Sequence, residues 1–184
     1  MGCFLPLEHK YCSSDSCVTG AAVGEIEGYA SLFGKADQSG DTVERGAYAK
    51  SLAAVATSGR QIKMLWQHDP TQPIGIWDEI REDAKGLYVK GRLLDGVGKA
   101  QEARVLVAAG AVDGLSIGYR TVRAQKSPTG GRTLSELDLW EISLVTFPML
   151  QCARVSSKSD MPVDPDIVRQ LAEALRSASR LLTS

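Results

Sequence analysis

The chain has 184 residues, 43% of them hydrophobic and 23% charged, which is ordinary globular composition and enough length for one domain with appendages. Twenty-one basic residues stand against 22 acidic ones for a net charge of -1, so nothing proposes nucleic acid or an anionic membrane as the main partner. No apolar run approaches the roughly 18 residues that span a bilayer, and no basic stretch precedes the short apolar patch in Met1 to Leu7; a secretory signal is not expected, and a cytosolic setting is.

Residues 1–23 lack periodicity and read as a flexible leader. Cys3, Cys12 and Cys17 crowd there beside His9, with Cys152 far away. Their spacing matches neither a paired zinc frame nor a disulfide scaffold, so free thiols are expected. A zinc site from Cys3, His9, Cys12 and Cys17 is the alternative, since ligand types and number would suffice. Glu25 to Phe33 alternates and reads as the first strand. Lys35 to Asp41 is a turn-rich loop; Asp37 and Asp41 lack the ligand spacing and closing glutamate of a calcium loop, so a turn is expected. Ala47 to Val55 is helix-like, and Ser58-Gly59 ends it.

Gln61 to Trp66 alternates again and leads into Gln67-His68-Asp69-Pro70. Pro70 disfavours helix at Asp69, which leaves the His68 imidazole at a strand–loop junction. Ile74 to Arg81 and Gly86 to Leu94 form a strand pair around the polar turn Glu82 to Lys85. Val97 to Ala109 carries Ala100, Ala103 and Val107 at helical spacing, with Gly110 as the stop.

Val112 to Ala124 is a strand in which Ser116 interrupts an apolar run. Successive side chains of a strand face opposite ways, so Ser116 points away from Leu115 and Ile117. Gly114 and Gly118 share its face and, lacking side chains, leave room for another backbone such as a substrate; a bend in a barrel strand is the plainer alternative. After the turn Ser127 to Gly131, Arg132 to Phe147 alternates with apolar residues on both sides, so part of it is expected to be covered on both faces. Glu141, between Trp140 and Ile142, is then a buried acid that needs a partner if it is to stay ionised. Residues 156–165 read as a polar linker with two prolines. In 166–184, Ile167, Leu171, Ala174, Leu175, Ala178 and Leu182 recur at the spacing of an amphipathic helix, able to dock on its own core or on a partner.

A serine hydrolase needs a nucleophile, a base within hydrogen-bond reach, and usually a third group that orients the base. There are two histidines and His9 lies in the leader, so His68 is the imidazole available to Ser116. The plain alternative is a surface histidine and a core-edge serine. No GxSxG elbow, HExxH, P-loop or paired CxxC competes, and one core histidine with scattered acids does not make a metal set. No cofactor is called for.

At these residues the chain resembles the prohead proteases of tailed bacteriophages, serine endopeptidases that act inside immature capsids. The resemblance rests on Glu27 to Phe33, Lys63 to Asp69, Pro73-Ile74-Gly75, Gly86 to Val89, Gly114 to Tyr119 and Asp138 to Pro148, in that order across about residues 25 to 155. It implies an α+β fold related to herpesvirus assemblins: a mainly antiparallel β-barrel surrounded by a few helices, with nucleophile and histidine on neighbouring strands. The protease domain would span 24–155, with the C-terminal helix partner-binding or removed by self-cleavage. It implies Ser116 as nucleophile and His68 as general base. Herpesvirus enzymes use a second histidine as third member; that region has none here, and Glu141 is the nearest substitute in type and place, with Asp138 and Asp69 as rivals. Asp138 and Glu141 fall on opposite faces of one strand, so at most one faces the site. The implied substrates are scaffold segments of the major capsid protein and the protease itself, in the host cytoplasm inside the immature capsid; self-association stays open. The alternative function is a non-catalytic assembly module binding coat protein. The stretch from Pro148 to Arg154 is where the oxyanion donors are expected.

Overall fold

A computed structural model describes residues 8–11, 24–127 and 130–148. The described chain is mostly β. Its strands are β1 (Glu8–Tyr11), β2 (Glu25–Leu32), β3 (Thr42–Val43), β4 (Lys63–Trp66), β5 (Asp69–Glu82), β6 (Gly86–Leu93), β7 (Gly114–Lys126) and β8 (Arg132–Val145). Helix α1 (Ala49–Ser58) precedes β4 and helix α2 (Gly98–Ala108) precedes β7. All eight strands join one sheet in the order β1-β7-β8-β4-β5-β6-β2, with β3 on β8. The sheet curls far enough to bring β2, at one end of this path, close to β7 near the other.

One expectation changes. The sheet is a curled half-barrel whose path ends at β1 and β2, so hydrogen bonding does not close the ring among the described residues. It is mainly antiparallel, as expected, with parallel pairing where β4 and β3 each run beside β8. Long connections make this feasible: β4 and β8 are far apart in sequence and meet side by side only after β5 to β7 have been laid down.

Local signals account for most of the elements. β2 alternates with Ile26, Ala30 and Leu32 buried. Gly59 and Gly110 follow the helices at φ 69° each, the left-handed conformation that glycine takes most cheaply. Helix α2 buries Ala100, Ala103 and Val107. Asp37 Oδ1 accepts hydrogen bonds from the amides of Ser39 and Asp41, and Asp41 pairs with the Arg132 guanidinium at 2.6 Å, so this loop is a closed turn tied to β8. At the tight end of the β5–β6 hairpin, Asp83 Oδ1 accepts from the amides of Lys85 and Gly86.

One stretch expected to lack structure does not. Residues 8–11 form β1, antiparallel to β7, with Glu8 opposite Tyr119 and Tyr11 opposite Ser116. Four residues without apolar alternation carry no strand signal of their own; the pairing supplies it. The linker 156–165, the helix 166–184, the stretch 149–154 and the four cysteines lie outside the described residues.

The core runs continuously through Ile26, Tyr48, Met64, Leu87, Leu115 and Leu139. From Gly114 to Tyr119 every residue of β7 is buried, and so is every residue of β8 from Glu141 to Val145. Both faces of these two strands are therefore covered where they meet, as the mixed pattern of Arg132 to Phe147 anticipates. Polar groups placed there need protein partners.

Candidate active site

Ser116 stands opposite Ser143 of β8, and Ser143 stands opposite Leu65 of β4 on its other side. The expected juxtaposition of nucleophile and histidine on neighbouring strands is therefore not what the chain adopts: β8 separates them. His68 reaches across from the turn that follows β4. Trp66 pairs with Asp69, so Gln67 and His68 are the two central residues of a tight hairpin. Both have positive φ, 53° and 61°, the sign that a type I′ hairpin demands and that residues with a Cβ adopt at a cost.

That conformation persists because its surroundings over-determine it. The Gln67 amide donates to the Leu144 carbonyl at 2.9 Å and the His68 amide to Ser143 Oγ at 3.2 Å. Gln67 Nε2 donates to Thr146 Oγ1 at 2.7 Å, and the Thr146 amide returns a bond to Gln67 Oε1 at 3.3 Å. On the far side, Asp69 accepts from the amide and hydroxyl of Thr71 and from Gln72 Nε2. The turn is thus pinned to the end of β8 by backbone and side chain alike.

So held, the imidazole bridges two partners. Ser116 Oγ lies 2.6 Å from His68 Nε2, and His68 Nδ1 lies 2.5 Å from Glu141 Oε1. With a carboxylate accepting at Nδ1, the Nε2 lone pair is left facing the serine hydroxyl. The second carboxylate oxygen, Oε2, accepts from Ser143 Oγ at 2.6 Å. Ser116 and Ser143 have no exposed surface and Glu141 has 3%, so these bonds operate away from bulk water, where an unmade one is costly.

The rival acids are engaged elsewhere. Asp138 accepts from Arg60 Nη2 at 2.7 Å and from Trp140 Nε1 at 2.7 Å, and the guanidinium groups of Arg60 and Arg120 flank the Trp140 ring at 4.8 and 4.2 Å. Asp69 is held by its own turn, whose hydrogen bonds, those from Thr71 foremost, keep its carboxyl below the usual range.

The two glycines have an occupant other than a substrate. A Cβ at Gly118 would stand 2.1 Å from Glu141 Oε1, and one at Gly114 would stand 2.7 Å from the Val145 carbonyl and 2.9 Å from the Pro148 ring. The space that the missing side chains leave is taken up by this chain itself. Gly118 makes room for Glu141, which lies directly opposite it in register.

Ser143 escaped sequence reasoning. Its one visible signal is its place two residues after Glu141, on the same strand face; its position opposite Ser116 needs the register.

A hydroxyl, an imidazole and a carboxylate hydrogen-bonded in series form the layout of a serine hydrolase that works by acyl transfer. The family model of the caudovirus prohead serine proteases matches residues 12–164. The prohead protease of Enterobacteria phage HK97 is 32% identical over 164 residues, covering 88% of this chain and 71% of that protein. A capsid polyprotein of Pseudomonas phage PAJU2 is 30% identical over 117 residues, 56% of this chain but 17% of the polyprotein. Among solved structures, the capsid assembly protease of bacteriophage T4 matches with a TM-score of 0.62 at 16% identity, over 77% of this chain and 98% of that one; at that identity the likeness speaks for the fold. The chain belongs to the caudovirus prohead serine protease family, and its activity is that of a serine protease of phage capsid maturation.

Proposed function

We propose that Ser116 is the nucleophile of this protease, His68 its general base and Glu141 the acid that orients the base. The observation that carries the assignment is the 2.6 Å approach of Ser116 Oγ to His68 Nε2 with Glu141 2.5 Å behind the ring. His68 takes the hydroxyl proton as Ser116 Oγ bonds to the peptide carbonyl carbon. It returns that proton to the leaving amine when the C–N bond breaks. Water then repeats the cycle on the acyl-enzyme, and Glu141 stabilises the imidazolium in both halves. No residue of this scheme calls for a metal or cofactor.

The substrates we assign are scaffold segments of the major capsid protein and the protease's own flanking segments, cut inside the immature capsid in the host cytoplasm. The name of the HK97 relative supports the setting, and the match to part of a capsid polyprotein supports coat protein as the partner. No helix among the described residues is long and apolar enough to cross a membrane. The kinship with herpesvirus assemblins belongs to the same reading, supported by a mostly β fold with a curled sheet on which the His68 ring reaches Ser116 across one intervening strand.

Glu141→Gln tests the orienting role. The amide keeps the shape but offers an N–H where an acceptor is needed, so the ring turns its other tautomer toward Ser116. Cleavage is expected to fall on the order of 10³- to 10⁴-fold; a loss below about tenfold in a capsid-protein cleavage assay would remove Glu141 from the scheme.

Ser143→Ala removes the donor to Glu141 Oε2 and the acceptor of the His68 amide together. We expect a loss of about 1–3 kcal/mol in stability and a rate loss on the order of tenfold, with Ser143→Thr restoring part of the rate because it restores the hydroxyl. Equal rates for all three chains would show Ser143 to be filler.

A further inference from the structure

Ser116 has no exposed surface, so a nucleophile assigned to it meets no substrate until something beside it gives way. The outer edge of β7 shows what lies there. One edge of β7 pairs with β8 along its length. Among the described residues the other edge pairs with β1, from Ser116 to Tyr119, while β7 itself runs on to Lys126. The segment Glu8–Tyr11 therefore covers the short stretch that bears the nucleophile, antiparallel to it, with Tyr11 opposite Ser116 and His9 opposite Gly118.

An exposed strand edge is a template for any extended peptide, because its unpaired amides and carbonyls bind main chain whatever the side chains are. A peptide laid antiparallel along that edge runs its backbone within about 5 Å of the Ser116 Cα, carrying successive carbonyls past the strand on which the serine sits. This is the placement that a proteolytic substrate needs, and β1 holds it.

We propose that the Ser116–Tyr119 edge of β7 is the docking edge for the extended peptide to be cut, and that residues 8–11 occupy it as a built-in competitor. The inference rests on the catalytic assignment above. Substrate must displace β1, so the uncleaved chain has low activity and gains activity when β1 is removed or outcompeted. This makes sense for a protease that acts within a capsid: a high local concentration of scaffold segments favours displacement, and dilute chain stays capped.

Two measurements on the full chain test it. Adjacent strand residues turn their amides to opposite sides, so of His9 and Lys10 one donates to β7, and the double variant His9→Pro with Lys10→Pro removes that bond whichever it is. The first measurement is the rate at which a small serine-reactive phosphonate labels Ser116. The double variant is expected to label at least about fivefold faster than the parent chain, as a competent fraction held low by β1 is released. A synthetic peptide of residues 4–15 should slow labelling of the variant at concentrations that leave the parent chain unaffected. Equal Ser116-dependent labelling in both chains overturns the inference and leaves the nucleophile standing. Slower labelling in the variant also overturns it, making β1 a support of the site. Absence of Ser116-dependent labelling in either chain overturns the catalytic assignment and the inference with it. The second measurement needs no fold-perturbing change: amide hydrogen exchange of the Ser116→Ala chain with the same peptide in excess. The amides of residues 8–11 should lose protection while those of 116–119 keep theirs; unchanged protection of 8–11 at saturating peptide counts against displacement.

Discussion

Replacing Ser116 with alanine is expected to stop the shortening of co-expressed major capsid protein while leaving the protease folded. The oxygen removed is the one within 2.6 Å of His68 Nε2, and the nearby Ser143 hydroxyl is engaged elsewhere. Ser143 Oγ is committed to Glu141 Oε2 and to the His68 amide, on the wrong side of the ring. The expected rate loss is therefore of the size seen when a triad member is deleted, at least about 10⁴-fold. The structural consequence is much smaller: loss of the hydrogen bond to His68, about 1 kcal/mol, and of no more volume than one oxygen atom. Thermal unfolding followed beside cleavage separates the two. Processing at the parental rate would end the nucleophile assignment. A chain that has lost its unfolding transition would mean that Ser116 holds the core together. His68→Ala should cost about as much as Ser116→Ala, and the double variant little more, because residues of one relay fail as a unit.

How far this site was legible depends on which force decides each contact. Alternation around Ser116 and Glu141 is a local signal, and it put Ser116 on the face opposite Leu115 and Ile117 and Glu141 in a buried run. The turn at Gln67-His68 was legible as a break, through Pro70, but not as a strained hairpin, because nothing in Gln-His announces positive φ; the bonds to Leu144, Ser143 and Thr146 impose it. The choice between Glu141 and Asp138 was narrowed by strand parity to one of the two. It took the placement of Arg60, from the loop after α1, to show what occupies Asp138. Register is the information that sequence lacks most. The interposed β8, the pairing of Ser143 with Ser116 and the parallel run of β4 are all consequences of which strands meet, and strand meetings between distant segments leave no periodic trace. The same holds for β1, a strand made by its neighbour's edge. The half-barrel differs from the closed ring for a related reason: the longer strands can be read along the chain, whereas closure depends on whether the last edges come within hydrogen-bonding distance.

Gly118→Ala is the substitution on which the two meanings of the flanking glycines part. If the glycine served a substrate backbone, a methyl group would obstruct binding whatever stood at position 141. The packing gives a different expectation. A Cβ at Gly118 would lie 2.1 Å from Glu141 Oε1 and 2.8 Å from its Cδ and Cγ, and that carboxylate cannot simply swing away, because Oε1 is bonded to His68 and Oε2 to Ser143. Accommodating the methyl means breaking one or both bonds, so the ring loses its orienting acid. Cleavage is expected to fall on the order of 10²- to 10⁴-fold, close to the loss for Glu141→Gln, with stability reduced by about 1–3 kcal/mol as for other overpacked sites. The decisive comparison is the double-mutant cycle: in a Glu141→Ala background the methyl has room, and Gly118→Ala should then cost less than about threefold in rate, a strongly non-additive result. Undiminished loss in that background would return Gly118 to the substrate and remove it from the positioning of Glu141.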